Sequence, residues 1–206
     1  GGYAGQYGGD PYGGFGGAGA RGPRKGADIQ ATTTLGFREA VAGDTVTLST
    51  ADGGRITTRI PAGVKDGQKI RLRGKGRPGE LGGEPGDLIL MVTVSPHPVF
   101  GRDGDNLTVD VPVTFAEAAL GATVSVPTLG GDRVRVKVSP GTPSGRVLRI
   151  KGRGVTTAHG QGDLLAKVLV VVPQRLTDEA RTAVETLRAM DADHDPRAEL
   201  FAKAAR

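Results

Sequence analysis

Sliding the 206-residue chain against itself by 78 positions places residues 28–76 on 106–154 without a gap, and fourteen of the 49 pairs are identical. Unrelated segments of that length share roughly three or four, so the chain reads as two copies of one small domain. Phe37, Glu39, Ala40, Gly43, Thr45 and Val46 recur as Phe115, Glu117, Ala118, Gly121, Thr123 and Val124. Gly63, Gly67, Arg71, Gly74 and Gly76 recur as Gly141, Gly145, Arg149, Gly152 and Gly154. After a two-residue deletion in the second copy, Gly86-Asp87-Leu88 returns as Gly162-Asp163-Leu164.

Each copy has the pattern of short, half-buried strands. Ile29, Ala31, Thr33 and Leu35 alternate with Gln30, Thr32 and Thr34, and Leu107, Val109, Val111 and Val113 alternate likewise with polar or turn residues. A period of two puts one side of a strand in the core and the other in water. Asp52-Gly53, Asp66-Gly67 and Asp103-Gly104 mark tight turns. One short helix per copy is expected to end at Gly43 and at Gly121. The second opens on a capping box, Thr114 with Glu117, while the first has only Gly36 at that position. The expected fold class is mostly β: two tandem domains of β-sandwich or barrel-like build, each with one short helix.

Outside the repeat the chain changes character twice. Residues 1–28 hold twelve of the 35 glycines with Tyr3, Tyr7, Tyr12 and Phe15, but no Leu, Ile, Val or Met. Ordering such a segment costs much backbone entropy and buries nothing in return, so a flexible linker is expected, with the ordered protein starting near Ile29. After Leu176 the period becomes helical. Ala180, Ala183, Val184, Leu187 and Met190 fall on helical spacing behind a Thr177 cap, and a shorter helix is expected from Asp195-Pro196 through Leu200 and Phe201. The division is thus 1–28 linker, 29–105 first β domain, 106–175 second β domain and 176–206 C-terminal helical segment.

Several chemistries lack their residues. The chain has no cysteine, which excludes disulfides, cysteine-held zinc and thiol catalysis. No apolar run approaches the roughly 20 residues that span a bilayer, and nothing near the start resembles a signal segment, so a cytoplasmic protein is expected. Gly74-Lys-Gly76-Arg-Pro-Gly79 fits the dinucleotide fingerprint, but the following Glu-Leu-Gly-Gly-Glu-Pro-Gly cannot open the helix that a pyrophosphate needs. His97, His159 and His194 stand far apart without ligand-type neighbours, and His97 beside Pro98 reads as a turn residue. No nucleophile elbow occurs. No catalytic residue, metal or cofactor is expected, and the chain is read as a non-enzyme.

Charge is distributed unevenly. Residues 106–175 carry nine basic and four acidic residues, whereas 28–105 carry ten of each. Lys69, Arg71, Arg73, Lys75 and Arg77 alternate with Ile70 and Leu72, which on a strand would put the cations on the outer face. A solvated strand face is the plain alternative.

These motifs in this order, two β domains each with Gly-x-x-x-Gly, a Gly-Lys-Gly or Gly-Arg-Gly loop and Gly-Asp-Leu, resemble the C-terminal half of DnaJ-family (J-domain) co-chaperones. Ile60 to Leu72, His97-Pro-Val-Phe100 with Asp103 to Leu107, and Ala118 to Leu129 carry the likeness. The resemblance implies a heat-shock chaperone that holds unfolded polypeptide, delivers it to a DnaK-type ATPase chaperone and forms a homodimer. By position it implies a client pocket at Ala31, Thr33, Val46, Leu48 and Leu90, which periodicity reads equally well as core. It also implies docking of the partner's acidic tail at Lys69, Arg71 and Arg73, and dimerisation through Val184, Leu187, Met190, Leu200 and Phe201. The J-domain signature is missing, since His194-Asp195-Pro196 has the wrong order. The zinc finger of one subclass is missing too, and only a short connection joins Leu48 to Ile56. With Gly-Gly at its start, the chain is expected to derive from a longer polypeptide.

Two other readings stand beside this one. A nucleic-acid-binding protein would use the net charge of +5 and the linker's Arg21, Arg24 and Lys25, but the globular part has only phenylalanine for stacking on bases. A purely structural oligomerisation module is the third.

Overall fold

The computed structural model describes residues 22–50 and 53–206. The Tyr3, Tyr7, Tyr12 and Phe15 stretch, and Asp52 of the Asp52-Gly53 turn, lie outside the described residues. In chain order the elements are β1 (Ile29–Leu35), α1 (Phe37–Ala42), β2 (Asp44–Ser49), β3 (Arg55–Ile60), β4 (Lys69–Leu72), β5 (Leu88–Val94), β6 (Phe100–Asp103) and β7 (Asn106–Thr114). They continue as α2 (Phe115–Leu120), β8 (Ala122–Pro127), β9 (Arg133–Val138), β10 (Val147–Ile150), β11 (Thr156–Thr157), β12 (Gly160–Gln161) and β13 (Leu164–Val171). The chain ends in α3 (Asp178–Met190) and α4 (Ala198–Ala204). They gather into two compact units: one runs to Leu107 and takes in Gly152–Asp163, and the other joins Thr108–Lys151 to Leu164–Arg206.

In the first unit β5 lies between β1, parallel to it, and β4, antiparallel. The hairpin β2–β3 forms a second layer. Leu88, Leu90 and Val92 from β5, Leu35 from β1, and Leu48 and Ile60 from the hairpin meet in one core that also takes Ala40 from α1. In the second unit β13 lies between β7 and β10, and β8–β9 is the hairpin. Its buried residues Val113, Ala118, Val126, Val138, Leu164, Ala166 and Val168 occupy the repeat positions of Leu35, Ala40, Leu48, Ile60, Leu88, Leu90 and Val92. The sequence repeat is therefore a repeat of core positions. Neither layer closes into a barrel, so each unit is a small sandwich.

Local chemistry sets the joints. The Thr114 hydroxyl accepts from the Glu117 N–H at 3.1 Å while Glu117 Oε1 accepts from the Thr114 N–H at 2.9 Å, closing the expected capping box. α1, starting at Gly36, has no side-chain cap. Both helices stop at a glycine with positive φ, 83° at Gly43 and 84° at Gly121, which a Cβ would strain.

Three expectations are corrected. Order begins before Ile29: Gly26 N donates to the Glu84 carbonyl at 2.8 Å, and Arg24 exchanges two backbone hydrogen bonds with Glu80. A Cβ on Gly26 would run into the Arg77 carbonyl oxygen, and one on Gly83 or Gly86 into the carbonyl oxygen of Arg24 or Ala27, so glycines on both segments let backbone lie on backbone. Next, β4 ends at Leu72, so Arg73, Lys75 and Arg77 lie in the following loop instead of on a strand face. The last helix begins at Ala198 because Asp195 Oδ1 caps a preceding turn, accepting from Arg197 N at 2.9 Å.

Arg102 holds the first unit together from β6. Its guanidinium donates to the carbonyls of Gly63 (2.8 Å), Val64 (2.7 Å) and Gly104 (2.7 Å) with only 15% of the side chain exposed. Removing it leaves three backbone acceptors without their charged donor, each worth about 1 kcal/mol or more. Arg102→Ala should lower stability by about 2 to 3 kcal/mol, read as a shifted urea midpoint at unchanged slope.

Candidate functional site

The three-stranded sheet of the first unit has two faces, and β5 is apolar on both. Its inner residues Leu88, Leu90 and Val92 are buried, while Ile89 is half-buried and Met91 is exposed on the other side. The ladder aligns Gln30, Ile89 and Arg71 in one row and Thr32, Met91 and Lys69 in the next. This row pair floors a shallow groove of about 250 Å³ lined by Gln30, Ala31, Thr32, Lys69, Ile89 and Met91.

The residues expected to form a client pocket lie toward the other face. Leu90 is fully buried at 0% and Leu48 nearly so at 7%, both inside the core. Ala31, Thr33 and Val46 are half-buried. Ala31 and Val46 pack against that same core from its margin. β1 pairs only with β5 and β2 only with β3, so each strand leaves one edge without a ladder among the described residues.

Of the three expected docking cations, Lys69 and Arg71 stand in successive rows on the exposed face of β4, and Arg71 and Arg73 line one depression. Lys69 lines the outer groove. Arg71 is committed internally: its Nη1 donates to Asp87 Oδ2 at 2.8 Å and lies 3.7 Å from Asp28. Arg73 lines a second, larger depression with Lys25, Arg71, Gly74, Glu84, Pro85 and Asp87. Reversing the charge of Arg71 would therefore put a third carboxylate beside two others and disturb the fold, not a docking face alone.

Asp87 is the centre of that network. Its Oδ1 accepts from Gly74 N at 3.0 Å, and its own N–H donates to Asp28 Oδ1 at 2.7 Å. The Gly74 N–H, then the Arg71 guanidinium, hold its carboxyl below the ordinary aspartate value, outweighing desolvation. The second copy repeats the arrangement, with Asp163 Oδ1 accepting from Gly152 N at 2.8 Å and Asp163 N donating to Asn106 Oδ1 at 2.9 Å. Gly76 and Gly154 pass so close to the Gly-Asp segment that a Cβ would come within about 2.5 Å of the Gly86 or Gly162 carbonyl carbon. The glycine-rich fingerprint is thus a backbone crossing.

His97 sits in a turn, where Nδ1 accepts from the N–H groups of Val99 and Phe100 at 3.0 and 3.2 Å and the ring packs between Phe37 and Phe100. Among the described residues no three His, Asp or Glu side chains are grouped to hold a metal ion, and no helix is long and apolar enough to cross a membrane.

At the C-terminus α3 and α4 bury no residue. Val184 is 46% exposed, Met190 72%, Leu200 63% and Phe201 69%, while Leu187 is half-buried. Sequence reasoning named Lys25 only as a cation of the linker and passed over Ile89 and Met91. The signal for the last two was present, since a run apolar at every position, Leu88 to Val92, marks a strand with both faces apolar.

The fold and these faces define a twinned β-sandwich protein whose copies share one carboxylate lock. Residues 29–173 match the DnaJ C terminal domain, and the chain belongs to that family. Chaperone protein DnaJ 1 of Streptomyces coelicolor is 60% identical over 147 residues, 71% of this chain and 37% of the relative. Chaperone protein DnaJ 2 of Cutibacterium acnes is 43% identical over 239 aligned positions, 82% of this chain and 63% of the relative. Chaperone protein DnaJ 1 of Mycobacterium tuberculosis is 53% identical over 137 residues, 66% of this chain and 34% of the relative. The chain spans between about a third and just under two thirds of the length of these relatives.

A lowered folded-state pKa means that ionised Asp87 stabilises the fold above the ordinary aspartate value, near 3.8, and that this contribution is lost as pH falls through the lowered value. Asp87→Asn removes the charge paired with Arg71 at every pH. The variant should unfold at a lower temperature at pH 7 and lose less than the parent between pH 5 and about pH 2, followed by circular dichroism.

Proposed function

We propose that the chain is the polypeptide-holding part of a DnaJ-type co-chaperone, acting without turnover. An extended client segment adds to the free edge of β2 in the first unit, and its side chains rest against half-buried Ala31, Thr33 and Val46 over the floor made by Leu48 and Leu90. The observation that carries this reading is the combination of strand edges without ladders and a half-buried apolar margin. Unfolded chains have in common their backbone hydrogen-bonding groups and apolar side chains, and strand addition recognises both. The chaperone names of the relatives support this role.

Delivery to a DnaK-type partner would use the outer groove of the same unit. Ile89 and Met91 offer an apolar floor and Lys69 a cation, which suits an acidic chain end with an apolar residue. Arg73 and Lys25 add charge nearby.

Adjacent residues of β1 separate the two faces. Thr33→Glu should raise several-fold the amount of protein needed to halve aggregation of a denatured model client, while Thr32→Glu on the outer face should leave it unchanged. The reverse pattern would move the client to the outer groove, and equal holding by both variants would remove it from this sheet.

Homodimerisation through the exposed side chains of α3 and α4 completes the reading. Two weak client sites on one chain gain avidity, and a self-complementary contact uses a modest patch twice. Truncation after Gln174 should give a folded monomer by sedimentation equilibrium that holds clients less well. A full chain that is monomeric at micromolar concentration would remove the dimer from the proposal.

A further inference from the structure

The two hairpins β2–β3 and β8–β9 occupy the same repeat positions but present different outer faces. In the first, Thr47 and Thr57 face each other and their hydroxyls lie 3.2 Å apart, with Arg55 and Arg59 on either side. In the second, Arg135 stands where the first has Thr57, so β9 presents Arg133, Arg135 and Lys137 in a row, opposite Pro127, Ser125 and Thr123 of β8. All six are exposed. The hairpin's single acid, Asp132, sits in the turn, where it accepts a hydrogen bond from the Thr128 hydroxyl. The three cations make no side-chain hydrogen bond or ion pair among the described residues. β9 pairs only with β8, leaving its other edge without a ladder among the described residues.

We propose that β9 is a second polypeptide-docking edge, one that selects extended acidic segments of client chains. The proposal deepens the client-holding reading and rests on it. Successive cations on one face of a strand are about 7 Å apart, the same repeat as alternate side chains of any extended peptide. A segment added along β9 with Asp or Glu at every second position therefore sets each carboxylate beside a cation, about 5 Å away at the Cβ atoms. Acids at consecutive positions would turn half of their charge to the opposite face. The partner is a polypeptide and not a nucleic acid because the hairpin has no aromatic side chain to stack on a base. The local excess of positive charge in residues 106–175 draws the same acidic segments to this unit.

The test uses the full chain and three labelled probes: a peptide alternating Glu with Thr, a peptide of the same composition with its Glu residues in one block, and oligo-dT. Suppression of aggregation of a denatured, near-neutral model client is followed in parallel. Arg135→Thr restores the residue of the first hairpin, and the triple variant R133S/R135T/K137S removes the row; melting curves confirm that each is folded. The alternating peptide should bind at least about tenfold more tightly than the blocked one, weaken steeply between 50 and 300 mM salt, and lose about tenfold in the triple variant, with an intermediate loss for Arg135→Thr. Holding of the near-neutral client should be unchanged in both. Equal binding of the two peptides, or an unaltered affinity in the triple variant, would overturn the proposal. Oligo-dT binding more tightly than the alternating peptide through the same three residues would make the ribbon a nucleic-acid face instead. If the unmodified chain fails to hold the near-neutral client, the holding reading fails, whereas loss of the peptide result alone removes only the β9 edge.

Discussion

Each copy of the repeat depends on one carboxylate placed between backbone amides. Asp87 takes the N–H at the end of β4 through Gly74, and the N–H of Asp87 itself is taken by Asp28 at the start of β1. These bonds tie the start of β1, the loop after β4 and the start of β5 together at one end of the sheet. In the second copy of the repeat the same positions do the same work, with Asn106 in place of Asp28. The substitution is instructive: accepting the Asp163 N–H requires an oxygen but not a charge. The extra charge of Asp28 is useful only in the first unit, where it lies beside Arg71. An exposed ion pair contributes little on its own, so Arg71 acts mainly through its shorter bond to Asp87, whose side chain is 12% exposed.

The repeat was the most informative part of the sequence because it is a repeat of geometry. The positions that recur are buried side chains, glycines that end helices, and glycines that let two backbone segments cross. Alternation and capping signals located β1, β7 and the short helices. What periodicity could not supply was the sense of a half-buried position. Ala31 and Leu90 both read as inward; the structure makes one a margin and the other solid core, Ala31 standing on the edge strand β1 and Leu90, its ladder partner, on the central strand β5. The basic alternation from Lys69 to Arg77 misled for a related reason. Strand geometry ends at Leu72, where the Gly74 turn with φ of 72° sends the chain toward Asp87, and charges beyond that point no longer share a face. The early start of order, at the strap, had no apolar signature because its contacts are backbone to backbone and side chains contribute nothing to them.

A protein that holds unfolded chains by strand addition has to keep edges open without pairing them with its own copies. Free edges with apolar margins are also the places where sheets aggregate. The two units meet this constraint differently. The first keeps its hairpin face nearly neutral at the centre, with the Thr47 and Thr57 hydroxyls paired across the ladder. The second carries three uncompensated cations on the exposed face of β9. Two such edges brought together would place like charges opposite one another, which disfavours self-pairing. The same charges would attract an acidic strand. On the proposed reading, protection against self-association and selection of a complementary partner follow from one arrangement of side chains, which the second copy carries and the first, with Thr57 where the second has Arg135, does not.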